Sequence, residues 1–149
     1  MKMKIEFRGK ATGSIEELEE IGIKHTNGWV YGSYIDGFII NGIVEANDEY
    51  ISIEQWCGVD PKTVGQYTNV NTHRGEKIFE GDYVRVRSDV HMGGLTYPAK
   101  DFYGVVDFLE GMWVVNNRVD KMIPLWSETN EIEIVVNIHD NPEYLEVSE

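Results

Sequence analysis

Two apolar runs of strand length, Gly28-Trp-Val-Tyr-Gly-Ser-Tyr-Ile35 and Phe38-Ile-Ile-Asn-Gly-Ile-Val44, are separated only by Asp36-Gly37. Asp-Gly suits a two-residue hairpin because both turn positions need a positive φ, which glycine and short polar side chains tolerate best. The same arrangement recurs where residues 103–109 and 112–115 flank Glu110-Gly111. Two hairpins are therefore predicted. Further strands are read at residues 5–8, 50–53, 63–67, 83–87 and 132–138, spaced by Gly, Asn, Asp and Pro clusters. Short strands at this spacing belong to sandwiches and barrels, not to alternating strand–helix units. The expected fold is mainly β, an antiparallel β sandwich or a partly open barrel.

One short N-terminal helix interrupts the pattern. Residues 9–13 break the first strand with small, turn-forming side chains, and Ser14-Ile-Glu-Glu17 has the capping-box arrangement. Ile15, Leu18 and Ile21 are its expected buried stripe, and Gly22 stands where a left-handed cap ends a helix. Glu16, Glu17, Glu19 and Glu20 favour the positive end of the helix dipole but repel one another. Residues 88–101, with Gly93-Gly94 and Pro98, read as a long loop of the kind that often carries function. Residues 147–149 are expected to fray.

A chain of 149 residues fits one domain, and 42% apolar content with four Trp, eight Tyr and five Phe can fill its core. No window approaches the ~20 apolar residues of a spanning helix. Met1-Lys-Met-Lys-Ile-Glu carries charge where a signal peptide would be apolar. No membrane association and a cytoplasmic location are expected. Cys57 is the sole cysteine, which rules out an intrachain disulfide and a multi-cysteine zinc site and leaves a small core residue. The net charge is −13, and no Lys or Arg follows Lys121. That field repels phosphate backbones, disfavours non-specific nucleic-acid binding and suits a basic partner, although its plainest use is solubility.

Phe7-Arg-Gly-Lys10, Gly28-Trp-Val-Tyr-Gly32, Thr63-Val-Gly-Gln-Tyr-Thr68, Ile78-Phe-Glu-Gly-Asp82 with Val84, Gly104-Val105, and Ile134-Val-Val-Asn-Ile-His-Asp-Asn-Pro142 follow one another along the chain. In this order they resemble the YopX family of phage and prophage proteins. The resemblance implies a β-rich fold and a phage or prophage origin, and no activity. Residues 11–27 and 41–61 are longer than the corresponding links of the family pattern. The motif residues also have direct physical readings. Asp82 after Gly81 is expected to accept backbone N–H groups and fix the start of its strand. Asn137, Asp140 and Asn141 before Pro142 read as turn chemistry. The step from Gly81-Asp-Tyr-Val84 to Gly104-Val-Val-Asp-Phe108 is also found in SH3-like barrels, a likeness that carries no function.

No grouping for catalysis is present: there is no nucleophile elbow, and His25, His73, His91 and His139 lack partner spacing. No phosphate-cradling glycine pattern joins a strand to a helix. Catalytic, cofactor-binding and metal residues are accordingly not assigned, and His139-Asp140 is the one pair worth checking. Acids such as Asp48-Glu49, or Glu131 and Glu133, read as solvent faces of edge strands. One stripe opposes the acidic average: Tyr83, Arg85 and Arg87 share a strand face, with Val84 and Val86 directed to the core. Such a stripe can stack on bases and meet phosphates, but Arg opposite Glu or Asp is also ordinary cross-strand pairing.

The expected function is a non-enzymatic binding module, without cofactor, that acts on host or phage protein partners of unknown identity. A nucleic-acid-associated module using Tyr83, Arg85 and Arg87 is the alternative, and an acidic mimic of DNA is another. Self-association into a homo-oligomer through edge strands stays open.

Overall fold

The turn chemistry sets the strand order. In the computed structural model, which describes residues 3–98, 101–127 and 130–145, Asp36 and Gly37 have φ of 44° and 88°, and Glu110 and Gly111 have 54° and 80°. Both hairpins form as the sequence predicts. The strands are β1 (Phe7–Lys10), β2 (Trp29–Ile35), β3 (Phe38–Ala46), β4 (Ile51–Gly58), β5 (Gly65–Asn71) and β6 (Lys77–Phe79). They continue with β7 (Asp82–Met92), β8 (Leu95–Pro98), β9 (Phe102–Leu109), β10 (Met112–Asn116), β11 (Met122–Pro124) and β12 (Asn130–Asn137). The helix α1 is Ile15–Glu20. The fold is mainly β, with two antiparallel sheets in the orders β4-β3-β2-β1-β5-β6 and β11-β10-β9-β7-β12, and β8 paired to β7. Contacts gather into two compact units, Met1–Tyr67 and Thr68–Glu149.

In the first unit, β1 runs antiparallel to β2 with Phe7 opposite Gly32 and Lys10 opposite Trp29, so the first two family-like segments are each other's strand partners. Gly32, at φ 156°, is required there: a Cβ would lie 2.2 Å from the Ile40 carbonyl oxygen. Ala11, Leu18, Val30, Ile39, Cys57 and Val59 form the core. The Ser14 hydroxyl accepts the Glu17 N–H at 3.2 Å and starts α1 as expected. The helix ends at Gly22, with φ of 80°. There the Gly22 N–H bonds Glu19 O at 3.2 Å and the Ile23 N–H bonds Leu18 O at 2.9 Å, the paired bonds of a Schellman ending. The expected three-residue stripe is corrected: Leu18 alone is buried, while Ile15 and Ile21 are exposed. A helix of six residues is under two turns long and presents a single position to the sheet.

The second unit is built on β7, whose alternation puts Val84 and Val86 into a core with Ile78, Val106, Val115, Leu125 and Ile132. The Asp82 carboxylate is buried and accepts the Phe79 N–H at 2.8 Å, which closes the turn before β7 as the sequence predicts. Thr68, also buried, donates its hydroxyl to Ile78 O at 2.8 Å. Asn137 accepts the His139 N–H on its side chain at 2.8 Å and the Asn141 N–H on its carbonyl at 2.9 Å, so this segment is turn chemistry. The long loop expected over residues 88–101 is also corrected over residues 88–98, residues 99 and 100 lying outside the described residues. β7 continues to Met92 and returns through β8, with Met92 opposite Leu95 and Asp89 opposite Pro98. Gly93 and Gly94 have φ of 60° and 80°, so this pair is a third two-residue hairpin turn. The expected fraying of residues 147–149 lies outside the described residues. No helix is long and apolar enough to cross a membrane among the described residues.

Candidate functional site

Tyr83, Arg85 and Arg87 do lie on one face of β7, Tyr83 and Arg85 between β9 and β12 and Arg87 beside β12. Arg85 stands opposite Glu133 of β12 and Tyr103 of β9, and Arg87 stands opposite Glu131. The Arg85 guanidinium meets the Glu133 carboxylate at 2.5 Å and Asp101 at 3.7 Å, and Arg87 Nε donates to Asp101 Oδ1 at 3.3 Å. Glu133, a hydrogen bond with Tyr103 and then Asp101 raise the Arg85 pKa. The Tyr83 ring stacks on Tyr103 with centroids 6.3 Å apart and tilts against Tyr144 at 5.2 Å. Burial, with help from Tyr103 and Tyr144, raises the Tyr83 pKa. The stripe is therefore a set of cross-strand pairs in which both cations face carboxylates. Beside it lies a depression of ≈ 20 Å³ bordered by His73, Arg85, Arg87, Glu131, Ile132 and Glu133, about the space of one water.

The other candidate lies in the first unit, where β2, β3 and β4 form a ribbon. Ile35 pairs with Phe38 across the Asp36-Gly37 turn, and Ile40 pairs with Trp56. Ile39 between them points the other way and is fully buried. Phe38-Ile-Ile40 thus puts apolar side chains on both faces of β3, and only one face has a core to fill. On the other face Trp56 is 62% exposed, Ile35 56% and Phe38 41%. Phe38 and Trp56 meet edge to face with centroids 5.6 Å apart. Together with Ile40 and Ile53 they line a shallow depression of ≈ 320 Å³ that opens widely to solvent. In the second unit Phe108, Leu109 and Met112 are exposed at the β9–β10 turn, but Phe108 packs edge-on against the half-buried Trp113 at 4.9 Å.

A larger groove of ≈ 440 Å³ runs between α1 and β4. Its titratable groups are Glu17, Lys24, Glu54 and Cys57. Lys24 pairs with Glu54 at 3.8 Å, and the Gln55 amide holds the Lys24 backbone, accepting its N–H at 2.8 Å and donating to its carbonyl at 3.4 Å. Burial pushes the Cys57 thiol pKa up, and its Sγ–H donates to Gly58 O at 3.5 Å, the opposite of an activated nucleophile. His25 accepts the Gly28 N–H on Nδ1 at 3.0 Å, which leaves Nε2 toward Glu19 at 3.7 Å. That is a loop clasp. Among the described residues no group of three or more His, Cys, Asp or Glu is placed to hold a metal ion, and the His139 and Asp140 backbones belong to the Asn137 turn.

The exposed face of Ile35, Phe38, Ile40 and Trp56 was not singled out by the sequence reasoning. Its signal was available in the consecutive apolar residues Phe38, Ile39 and Ile40 of a hairpin strand, where a half-buried strand would alternate with polar ones. The sequence model of one protein family, described as YopX protein, matches residues 23–146. Among curated proteins none matches the chain.

Proposed function

The chain belongs to the YopX family, and we propose that it is a non-enzymatic binding module that docks a protein partner on the β2–β3–β4 face. The observation that carries this reading is the open cluster of Ile35, Phe38 and Trp56 over Ile40. Large aromatic side chains clustered with aliphatic ones in a shallow depression are typical anchors of protein interfaces, and burying a Trp or Phe contributes about 150–250 Å² of contact. The reading includes the phage or prophage origin, and with it a bacterial host cell, that the resemblance implies, and the cytoplasmic setting expected from the lone cysteine and the charged N-terminus. The Tyr83, Arg85 and Arg87 face supports the nucleic-acid alternative less well, because its cations already face Glu133 and Asp101.

The test is affinity capture of the tagged protein from nuclease-treated bacterial lysate, with the wild type beside a Phe38→Ser, Trp56→Ser double variant. A protein retained by the wild type and lost by the variant is the expected result. Recovery that depends on nucleic acid, or that the double substitution leaves unchanged, would overturn it.

A further inference from the structure

We propose that the segment which docks here is a basic, extended polypeptide that adds a strand beside β4; this rests on the protein-binding reading above. The first observation is charge. Between Lys24 and Lys62 there is no Lys or Arg, while Asp36, Glu45, Asp48, Glu49, Glu54 and Asp60 all lie in that interval. All of these acids are exposed; Glu54 faces Lys24 at 3.8 Å, and the other five leave a surplus of negative charge along this stretch of the chain. A cationic partner is drawn to such a surplus, and a wrong partner of like charge is repelled.

The second observation is geometric. β4 is the terminal strand of its sheet, paired to β3 from Phe38 opposite Gly58 to Ala46 opposite Ile51. Near Gly58 its outer side is closed by the Thr12 N–H, which bonds Gly58 O at 3.1 Å. Near Gln55 it is covered by the clasp on the Lys24 backbone. Residues 51–54 form the remaining stretch of outer edge. An added strand there would alternate its side chains, with apolar ones continuing the Trp56 face and cationic ones reaching the carboxylates. Ile43, Val44, Tyr50 and Ile51 near the tip of the same hairpin are also exposed. β2 pairs with β3 only from Phe38 to Ile40, so beyond it the β3–β4 hairpin is two-stranded, and a third strand would bury part of this surface. A second copy of the chain fits poorly, because pairing β4 with β4 would bring the same carboxylates of both copies together.

The probe is a short synthetic peptide of alternating lysine and valine, with a glutamate–valine peptide as its counterpart, titrated into the full chain and followed by amide hydrogen exchange. The expected result is slowed exchange at residues 51–54 with the lysine peptide alone, weakening as salt is raised. Glu49→Lys with Glu54→Lys should lower its affinity about tenfold or more, the scale of electrostatic steering. Glu76→Lys with Glu143→Lys, an equal change in net charge elsewhere, should leave it unchanged. Equal losses in both pairs, protection outside residues 51–54, no binding, or protection of residues 51–54 by self-association without peptide would each overturn the proposal. The same charge pairs in the capture experiment separate the two readings. Loss of a captured protein with the Phe38 and Trp56 substitutions, but not with Glu49→Lys and Glu54→Lys, would remove the basic strand and leave the docking face standing.

Discussion

The β7 face and the β3–β4 face are both aromatic-bearing strand surfaces, and they differ in what their neighbours provide. On β7, Arg85 is held between Glu133 and Asp101, and Tyr83 lies against the rings of Tyr103 and Tyr144. On β3–β4, Phe38 and Trp56 touch one another and both stay open to solvent. A stripe of Tyr and Arg in one strand is thus weaker evidence for binding than its composition promises, because adjacent strands can use it up. Apolar surface left over after a core is filled is the stronger sign, since burying it against a partner gains roughly 25 cal/mol per Å².

The comparison assumes that the β7 unit is internally complete, and this can be broken by core truncation. Leu125 is fully buried, in the cluster with Val84, Val86, Val106 and Val115. Leu125→Ala should cost about 2–5 kcal/mol, read from the denaturant midpoint, because it combines lost transfer energy with a cavity. A loss below ~1 kcal/mol would show a loosely packed core. Asp82→Ala comes next. It leaves the Phe79 N–H without the carboxylate that accepts it at 2.8 Å, and should cost about 1–3 kcal/mol by the same measurement. Near-wild-type stability would mean that the turn before β7 holds without its side-chain acceptor.

Much of this second unit was legible because its signals are local. Asp82 after Gly81, Glu110-Gly111 and the Val84 and Val86 alternation each depend on a few adjacent residues, and each is realised. The Gly93-Gly94 pair was misread as a loop because two glycines permit many backbone conformations as well as the hairpin turn they adopt. The three-residue strands β6 and β11 were missed because they are too short to display an alternation. The docking face failed to show for a different reason. Burial of Ile39 but not of Phe38 or Ile40 depends on which side of β3 meets the core, and that follows from pairing register and not from the run of apolar letters. The helix shows the same limit, since a correct capping motif did not say how many of its apolar residues would find a cover.

Alkaline titration sharpens the description of the β7 face. The Tyr83 pKa is raised above its ordinary 10.0, first by burial and then by Tyr103 and Tyr144. Well below pH 10.0 the phenol is protonated in both the folded and unfolded chain and contributes no pH dependence. Above it the unfolded chain ionises first, so stability falls as pH climbs from that value through the higher folded pKa. Tyr83→Phe should flatten this part of the denaturant-midpoint profile while leaving the neutral region nearly unchanged. An identical alkaline slope in the variant would mean that the ring packing against Tyr103 and Tyr144 does not govern the titration.

The smallest expected stability effect falls on the side chain to which the proposal assigns the most binding. Trp56 is largely exposed and makes an edge-to-face ring contact with Phe38, so Trp56→Ser should shift stability by less than about 1 kcal/mol, in the range of surface substitutions that lose one aromatic pair. Side chains retained for folding lose stability when cut back, whereas side chains retained for docking lose affinity with stability almost intact. Denaturation and partner-binding measurements on the same Trp56→Ser preparation therefore separate the two uses of one residue. A destabilisation as large as that of Leu125→Ala would make Trp56 a folding residue, erase the contrast between the two faces and remove the docking surface with it.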